Sequence, residues 1–276
     1  MKFKVLVLIV LVQRLSAQTP CDKGSKLLLV SAMFRHGERT PEPEQMKMFP
    51  KYEQKTNLFD PPGLGQLTDK GKQTMHELGL KLKNKYADKL YGKDCVTRNK
   101  VRMESTKYRR CLISAQIVLN ALLGENRDPK TFEWGNIKYL NKTLSEEKEK
   151  LYKNYYNKDC PEYMRLVQTS AKTKQRNLAS CQKPMEIMGG KLGVKDPHNP
   201  LLVWYMYELY TAQKCTNVTL PPWADQNMFD TMEKCIQTFL NIAFGDDELK
   251  KLSGGIYVDR MLKEFDRFIN EKNTNK

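Results

Sequence analysis

The stretch Arg35-His36-Gly37-Glu38-Arg39-Thr40-Pro41 follows directly on an apolar run, Lys26–Met33, with the length and composition of a buried strand. A strand ending in a polar, glycine-containing turn puts that turn at its carboxyl end, where open α/β sheets keep their ligand sites. The residue types suit phosphoryl chemistry. An imidazole can attack phosphorus and carry a phosphohistidine, and guanidinium groups on either side can hold the equatorial oxygens. An isolated R-H-G would read as a basic loop without chemistry, but the following x-R-T-P after a buried strand favours the phosphoryl reading.

Outward from this point the pattern alternates. Residues 42–62 are punctuated by prolines and read as loop. Gly65-Gln66-Leu67-Thr68 leads into a helix expected over Asp69–Lys85, with Thr68 as its N-cap. Lys100–Glu104 reads as a second short strand, and Ser105 or Thr106 as the cap of a helix reaching Leu123. Strand, loop, helix, strand, helix is a βαβ pattern, so the fold class expected is α/β, with a largely parallel sheet flanked by helices.

From about residue 127 the texture becomes charged and helical. Helices are expected over Ser145–Tyr156, Cys160–Lys172 and Gln182–Leu192, then over Leu201–Lys214, Met228–Phe244 and Ile256–Asn270, with Gly254-Gly255 breaking the chain before the last. The domain organisation expected is a leader at 1–17, an α/β core from 18–125 and 201–276, and a helical cap inserted at 126–200.

Compartment and partners follow from composition. Lys2 and Lys4 precede the apolar run Val5–Val12 and the small-residue ending Leu15-Ser16-Ala17, the layout of a secretory leader. The product is therefore expected outside the cell, with no membrane insertion, since no later apolar run spans a bilayer. The seven cysteines allow up to three disulfides with one left over. No C-x-x-C occurs and His36, His76 and His198 lie far apart, so neither a metal site nor another cofactor is expected. Asn141-Lys142-Thr143 and Asn217-Val218-Thr219 are glycosylation acceptor tripeptides. The net charge of +15 is spread among acids along helices, without an arginine-rich arm or finger, which argues against nucleic acid. A basic surface of this kind also suits weak binding to heparin-like glycans or other anionic surfaces.

Several further segments resemble the histidine acid phosphatase family, whose signature is R-H-G-x-R-x-P. Gly65-Gln66-Leu67-Thr68, Gly71 and Leu78-Gly79 resemble its G-x-L-T-x-x-G…L-G segment. Ser105-Thr106, Arg110 and Ser114-Ala115-Gln116 resemble its R-S-T-D-x-x-R-T-x-x-S-A-x segment. Pro221-Pro222-Trp223 and Ser253-Gly254-Gly255 resemble its P-x-W and S-G-G. The resemblance implies that His36 is the counterpart of the nucleophile and that Arg35 and Arg39 are phosphate ligands.

Two departures imply that His36 is a vestigial nucleophile. Where the family has a third arginine before the Ser-Thr, this sequence has Glu104, which replaces attraction for phosphate by repulsion. Arg102, two residues earlier on the same strand face, is the candidate to compensate. The family's His-Asp dipeptide, which supplies the acid for the leaving group, occurs nowhere in this sequence, and the strand and helix that follow it in the family are also missing.

Short basic chains of this kind resemble the secreted acid-phosphatase-like salivary proteins of blood-feeding insects such as fleas. That resemblance implies a scavenger of small host mediators, biogenic amines such as serotonin and lipid mediators such as leukotrienes. In that reading Arg35, His36, Arg39, Arg102 and Glu104 line the ligand site with Trp134 and Tyr139. Glu104 faces an ammonium group, and rings sandwich the aromatic moiety. Glu104 as a structural partner of Arg35 or Arg39 is the competing expectation. Two other functions remain open: a weak phosphatase acting through His36, and a basic protein-interaction or glycan-binding module.

Overall fold

The helices form where apolar residues recur on one face, and several of them end at glycines. The computed structural model describes residues 8–9, 27–48, 59–92, 96–133, 142–143, 160–194, 201–216 and 218–274. The chain divides into two compact units. One comprises 1–37, 69–144 and 257–276, and the other 38–68 and 145–256. These boundaries differ from those expected at 126 and 200: residues 201–256 belong with the charged helical stretch rather than with the first unit.

In the first unit, β1 (Leu8–Ile9) pairs antiparallel with β2 (Ala32–Met33), and β3 (Glu104–Ser105) pairs parallel with β4 (Lys142–Thr143). The long strand expected over Lys26–Met33 is reduced to two paired residues, and Leu28 and Met33 are exposed rather than buried. The strand expected over Lys100–Glu104 likewise shortens to its end. Apolar runs become sheet only where a neighbour supplies the ladder. Among the described residues that neighbour exists for two residues each time, and no larger parallel sheet forms.

Two helices make the body of this unit. α2 (Asp69–Tyr91) runs six residues past its expected end and stops at Gly92, whose φ of 64° is the left-handed conformation that closes helices. Met75, Leu78, Gly79 and Tyr86 form its buried stripe. α3 (Arg109–Leu123) buries every residue from Leu112 to Ala121 and ends at Gly124, with φ 77°. Neither Ser105 nor Thr106 caps it. Tyr108 holds the N-cap position without a side-chain bond, and the Ser105 hydroxyl donates to the Thr106 carbonyl. α2 and α3 meet at Gly79, where a Cβ would lie 2.5 Å from the Val118 carbonyl oxygen and 2.6 Å from the Ala121 Cβ.

The second unit contains a short helix, α1 (Pro43–Met48), where only loop was expected. The two helices expected over 160–192 are one, α4 (Pro161–Leu192), which carries Pro184 in its interior. α5 (Leu201–Cys215) and α6 (Gln226–Phe244) follow, the latter capped by the Asp225 carboxylate accepting from the Met228 N–H at 2.8 Å. Their shared core is rich in methionine: Met46, Met185, Met188, Met206 and Met232 pack with Leu202, Leu209 and Tyr210. The P-x-W tryptophan, Trp223, meets the Tyr210 ring edge to face at 5.5 Å. Gly254-Gly255 does not break the chain. α7 (Asp247–Lys250) continues through a π-helical turn, Lys251–Gly255, into α8 (Ile256–Thr274).

Cys181 and Cys235 join α4 to α6 in a disulfide. Cys21 and Cys95 lie outside the described residues, as do the sequon residues Asn141 and Asn217, the helix expected over Ser145–Tyr156 and all of the expected leader except Leu8–Ile9.

Two expectations about stability follow. Gly79→Ala should destabilise the first unit by about 1–3 kcal/mol, because carbonyl backbone rather than a flexible side chain blocks the new methyl. Urea unfolding followed by circular dichroism measures this. Replacing Cys181 and Cys235 together by alanine should cost about 2–4 kcal/mol, since the bond closes a loop with a sequence separation of 54. The midpoint under non-reducing conditions, compared with that of the native chain, is the measurement.

Candidate functional site

The boundary between the units falls inside the histidine motif, after Gly37. Arg35 and His36 belong to the first unit and Arg39 to the second.

In the first unit the motif turn is seated against the starts of both long helices. The Gly37 N–H donates to the buried Ser114 hydroxyl on α3 at 3.1 Å. On its other side Gly37 approaches α2 so closely that a Cβ would lie 2.4 Å from the Gly71 carbonyl oxygen. Only glycine fits there, which explains the G of R-H-G in terms of backbone packing. His36 is half-buried, and its Nδ1 lies 2.8 Å from the Gly37 carbonyl oxygen. A carbonyl only accepts, so Nδ1 is the donor in this contact. Arg35 is exposed beside it.

Glu104, at the start of β3, is the hub of an ion cluster. Its Oε1 accepts from Arg102 Nη2 at 2.7 Å and Nε at 3.1 Å, and its Oε2 accepts from Arg260 on α8. Arg102 extends further, with Nη1 donating to both Glu264 oxygens at 3.1 Å, and Glu264 pairs in turn with Arg267. Among the described residues, Glu104 pairs with Arg102 and Arg260 rather than with Arg35. Arg102 thus bridges two carboxylates, Glu104 and Glu264. Partial burial pushes the Glu104 pKa up, but hydrogen bonds and charge from Arg260 and Arg102 outweigh this and hold it below the ordinary carboxylate value.

In the second unit Arg39 is buried and multiply bonded. Its guanidinium reaches Glu42 at 3.0 Å and Glu208 on α5 at 3.3 Å, and donates to the Thr40 carbonyl at 3.0 Å and Gln45 Oε1 at 3.4 Å. Around it the motif loop is laced to the G-x-L-T segment. The Thr40 N–H donates to the Gln66 carbonyl at 2.8 Å, Gly65 N–H to Pro41 at 2.7 Å and Thr68 N–H to Glu38 at 3.0 Å. The fully buried Thr40 hydroxyl donates to Gly63 at 2.8 Å and accepts from Gln66 N–H at 3.0 Å. The Thr68 hydroxyl donates to the carbonyl and carboxylate of Glu38.

Trp134 and Tyr139 lie outside the described residues. Trp204 and Tyr207 pack edge to face on Phe239 and Phe229, each at 6.3 Å. Among the described residues no group of three or more His, Cys, Asp or Glu is placed to hold a metal ion, and no helix is long and apolar enough to cross a membrane. Residues the sequence did not single out are Arg260, Glu264, Glu42, Gln45 and Glu208. Arg260 meets Glu104 across 156 positions, a separation that carries no local signal.

A carboxylate held ionised by its partners stabilises the fold fully above its unfolded pKa, near 4.5, and loses that contribution as pH falls through its lower folded value. Urea midpoints measured from pH 6 downward should therefore fall more steeply for the native chain than for Glu104→Gln.

Residues 26–276 match the histidine phosphatase superfamily (branch 2). Lysosomal acid phosphatase of Xenopus laevis is 28% identical over 262 residues, covering 92% of this chain and 58% of that protein. Testicular acid phosphatase of Mus musculus is 28% identical over 273 residues, covering 95% and 60%. Prostatic acid phosphatase of Bos taurus is 26% identical over 249 residues, covering 87% and 62%. The chain thus spans about three-fifths of the length of these curated relatives. With a match running from just before the histidine motif to the last residue, the chain belongs to branch 2 of the histidine phosphatase superfamily, the family of the acid phosphatases.

Proposed function

We propose that this chain is a secreted, acid-phosphatase-derived binding protein with little turnover, which sequesters small host mediators and so opposes platelet and vascular responses. Biogenic amines such as serotonin are the first ligand class and leukotriene-like lipid mediators the second. The ligand classes come from the resemblance to salivary relatives. The low turnover rests on Glu104, an ionised carboxylate at the position where the family motif has a phosphate-binding arginine.

The size of that effect follows from charge. A guanidinium about 4 Å from a phosphoryl oxygen contributes roughly 4 kcal/mol at an effective dielectric near 20. With about 1.4 kcal/mol to a factor of ten, losing it weakens phosphate binding by roughly a thousandfold. The repulsion from Glu104 is largely cancelled by Arg102 and Arg260, so the loss stays close to that figure. Those same pairs qualify the role of Glu104 toward an amine: an alkylammonium reaching it exchanges one ion pair for another. The arginine-rich side of the cluster suits the carboxylate of a lipid mediator.

A weak phosphatase is the second reading, favoured by the Nδ1–Gly37 contact, which holds the imidazole at the nucleophile position of the motif. Two measurements separate the readings. Calorimetry against serotonin, histamine, noradrenaline, a cysteinyl leukotriene and inorganic phosphate should show submicromolar binding of a mediator and weak phosphate binding. Hydrolysis of p-nitrophenyl phosphate by the native chain should not exceed that of His36→Ala. Hydrolysis abolished by His36→Ala, without heat from any mediator, would overturn the proposal in favour of the phosphatase.

A further inference from the structure

We infer that Gln213, in the second unit, is a ligand-recognition residue: its side-chain oxygen accepts a hydrogen bond from the ring end of an aromatic ligand that carries an N–H or O–H donor. The inference rests on the chain binding aromatic amines, and it adds a contact separate from the histidine motif.

The spacing puts Gln213 where an apolar residue belongs. Leu202, Met206, Leu209 and Gln213 follow one another at intervals of four, three and four, the repeat of a single helical face. The first three are fully buried in the core of the second unit, and Gln213 on the same helix is 1% exposed. An amide taken out of water costs stability unless its polar atoms find partners. No protein donor reaches Gln213 Oε1. Gln45, equally buried in the same unit, accepts from the Glu42 N–H at 2.8 Å and donates to Glu208. Gln116 on α3 also has an Oε1 without a donor, but its Nε2 is anchored on Asn120. Among the described residues Gln213 has no such anchor.

The surroundings narrow the donor. A neutral amide oxygen does not compensate an ammonium group removed from water, which needs a carboxylate. It does pair with a neutral N–H or O–H. The core that holds the stripe also contains Met188 and Met232. Methionine is unbranched and repacks readily, and its sulfur makes favourable contacts with ring edges. One acceptor in a methionine-rich core suits a flat ring with a polar hydrogen, such as an indole N–H or a phenolic O–H.

The test pairs a variant with an altered probe. The probes are serotonin and its derivative methylated on both the ring nitrogen and the ring oxygen, which keeps the ammonium but has no ring donor. By calorimetry the native chain should bind serotonin about tenfold more tightly than the derivative, the worth of one net hydrogen bond. Gln213→Met keeps the length of the side chain and completes the apolar stripe. It should bind the two probes alike, and its urea midpoint without ligand should lie above that of the native chain. Equal binding of the two probes by the native chain would overturn the inference, as would a preference for serotonin retained in Gln213→Met. A lowered midpoint in Gln213→Met would overturn it too, since the amide would then be satisfied within the core, by a structural water for example. No heat from the native chain with serotonin removes the amine reading itself and the role of Gln213 with it, whereas serotonin binding without the preference removes this inference alone.

Discussion

Close backbone approach at glycine is the constraint on which the first unit depends. Gly79 lets α2 lie directly on the Val118 carbonyl of α3, and Gly37 lets the histidine turn sit on the Gly71 carbonyl of α2. A methyl group at either position would meet carbonyl oxygen at under 3 Å, and peptide groups inside helices cannot yield as a side chain would. Because these approaches bring main chain rather than side chains together, the place of the histidine is set by the helix backbones. The hydroxyl of Ser114 accepts from the Gly37 N–H at the same point.

Charge is distributed by a second rule: several guanidinium groups near the motif pair with carboxylates. Arg39 meets Glu42 and Glu208, and Arg102 and Arg260 share Glu104. Ionised groups removed from water need such partners, and leaving one unanswered costs several kcal/mol. The consequence for function is that motif arginines recognised by residue type are not thereby available as anion ligands. Their neighbours in space decide how much field remains for a ligand.

Membership in the histidine phosphatase superfamily makes the fold class α/β, as the strand-and-helix order implied. The described residues are nevertheless mostly helical, with strands of two residues. Helix positions were readable because their signals are local. The apolar stripe of α2, the Asp225 cap of α6 and the end of α3 at Gly124 all lie within a few residues of what they specify. Strand lengths at 26–33 and 100–104 were not readable, since a ladder needs a partner strand that no local pattern describes. The single helix across 161–192 and the π turn at Gly254-Gly255 were missed for a related reason. Residues 173–181 were left between two expected helices and the glycine pair was read as a break, but helical hydrogen bonding continues through both.

By itself, then, the sequence determined the family, the histidine with its flanking arginines, the substitution of Glu104 and the glycines that permit close packing. Each is a matter of residue type at a fixed spacing. Tertiary structure alone decided which charges meet. That Glu104 pairs with Arg260, that Arg102 bridges Glu104 and Glu264, and that Ser114 on α3 accepts from Gly37 beside His36 depend on contacts 77 to 162 positions apart. Electrostatics and hydrogen bonding act through distances in space, and a linear pattern does not record them.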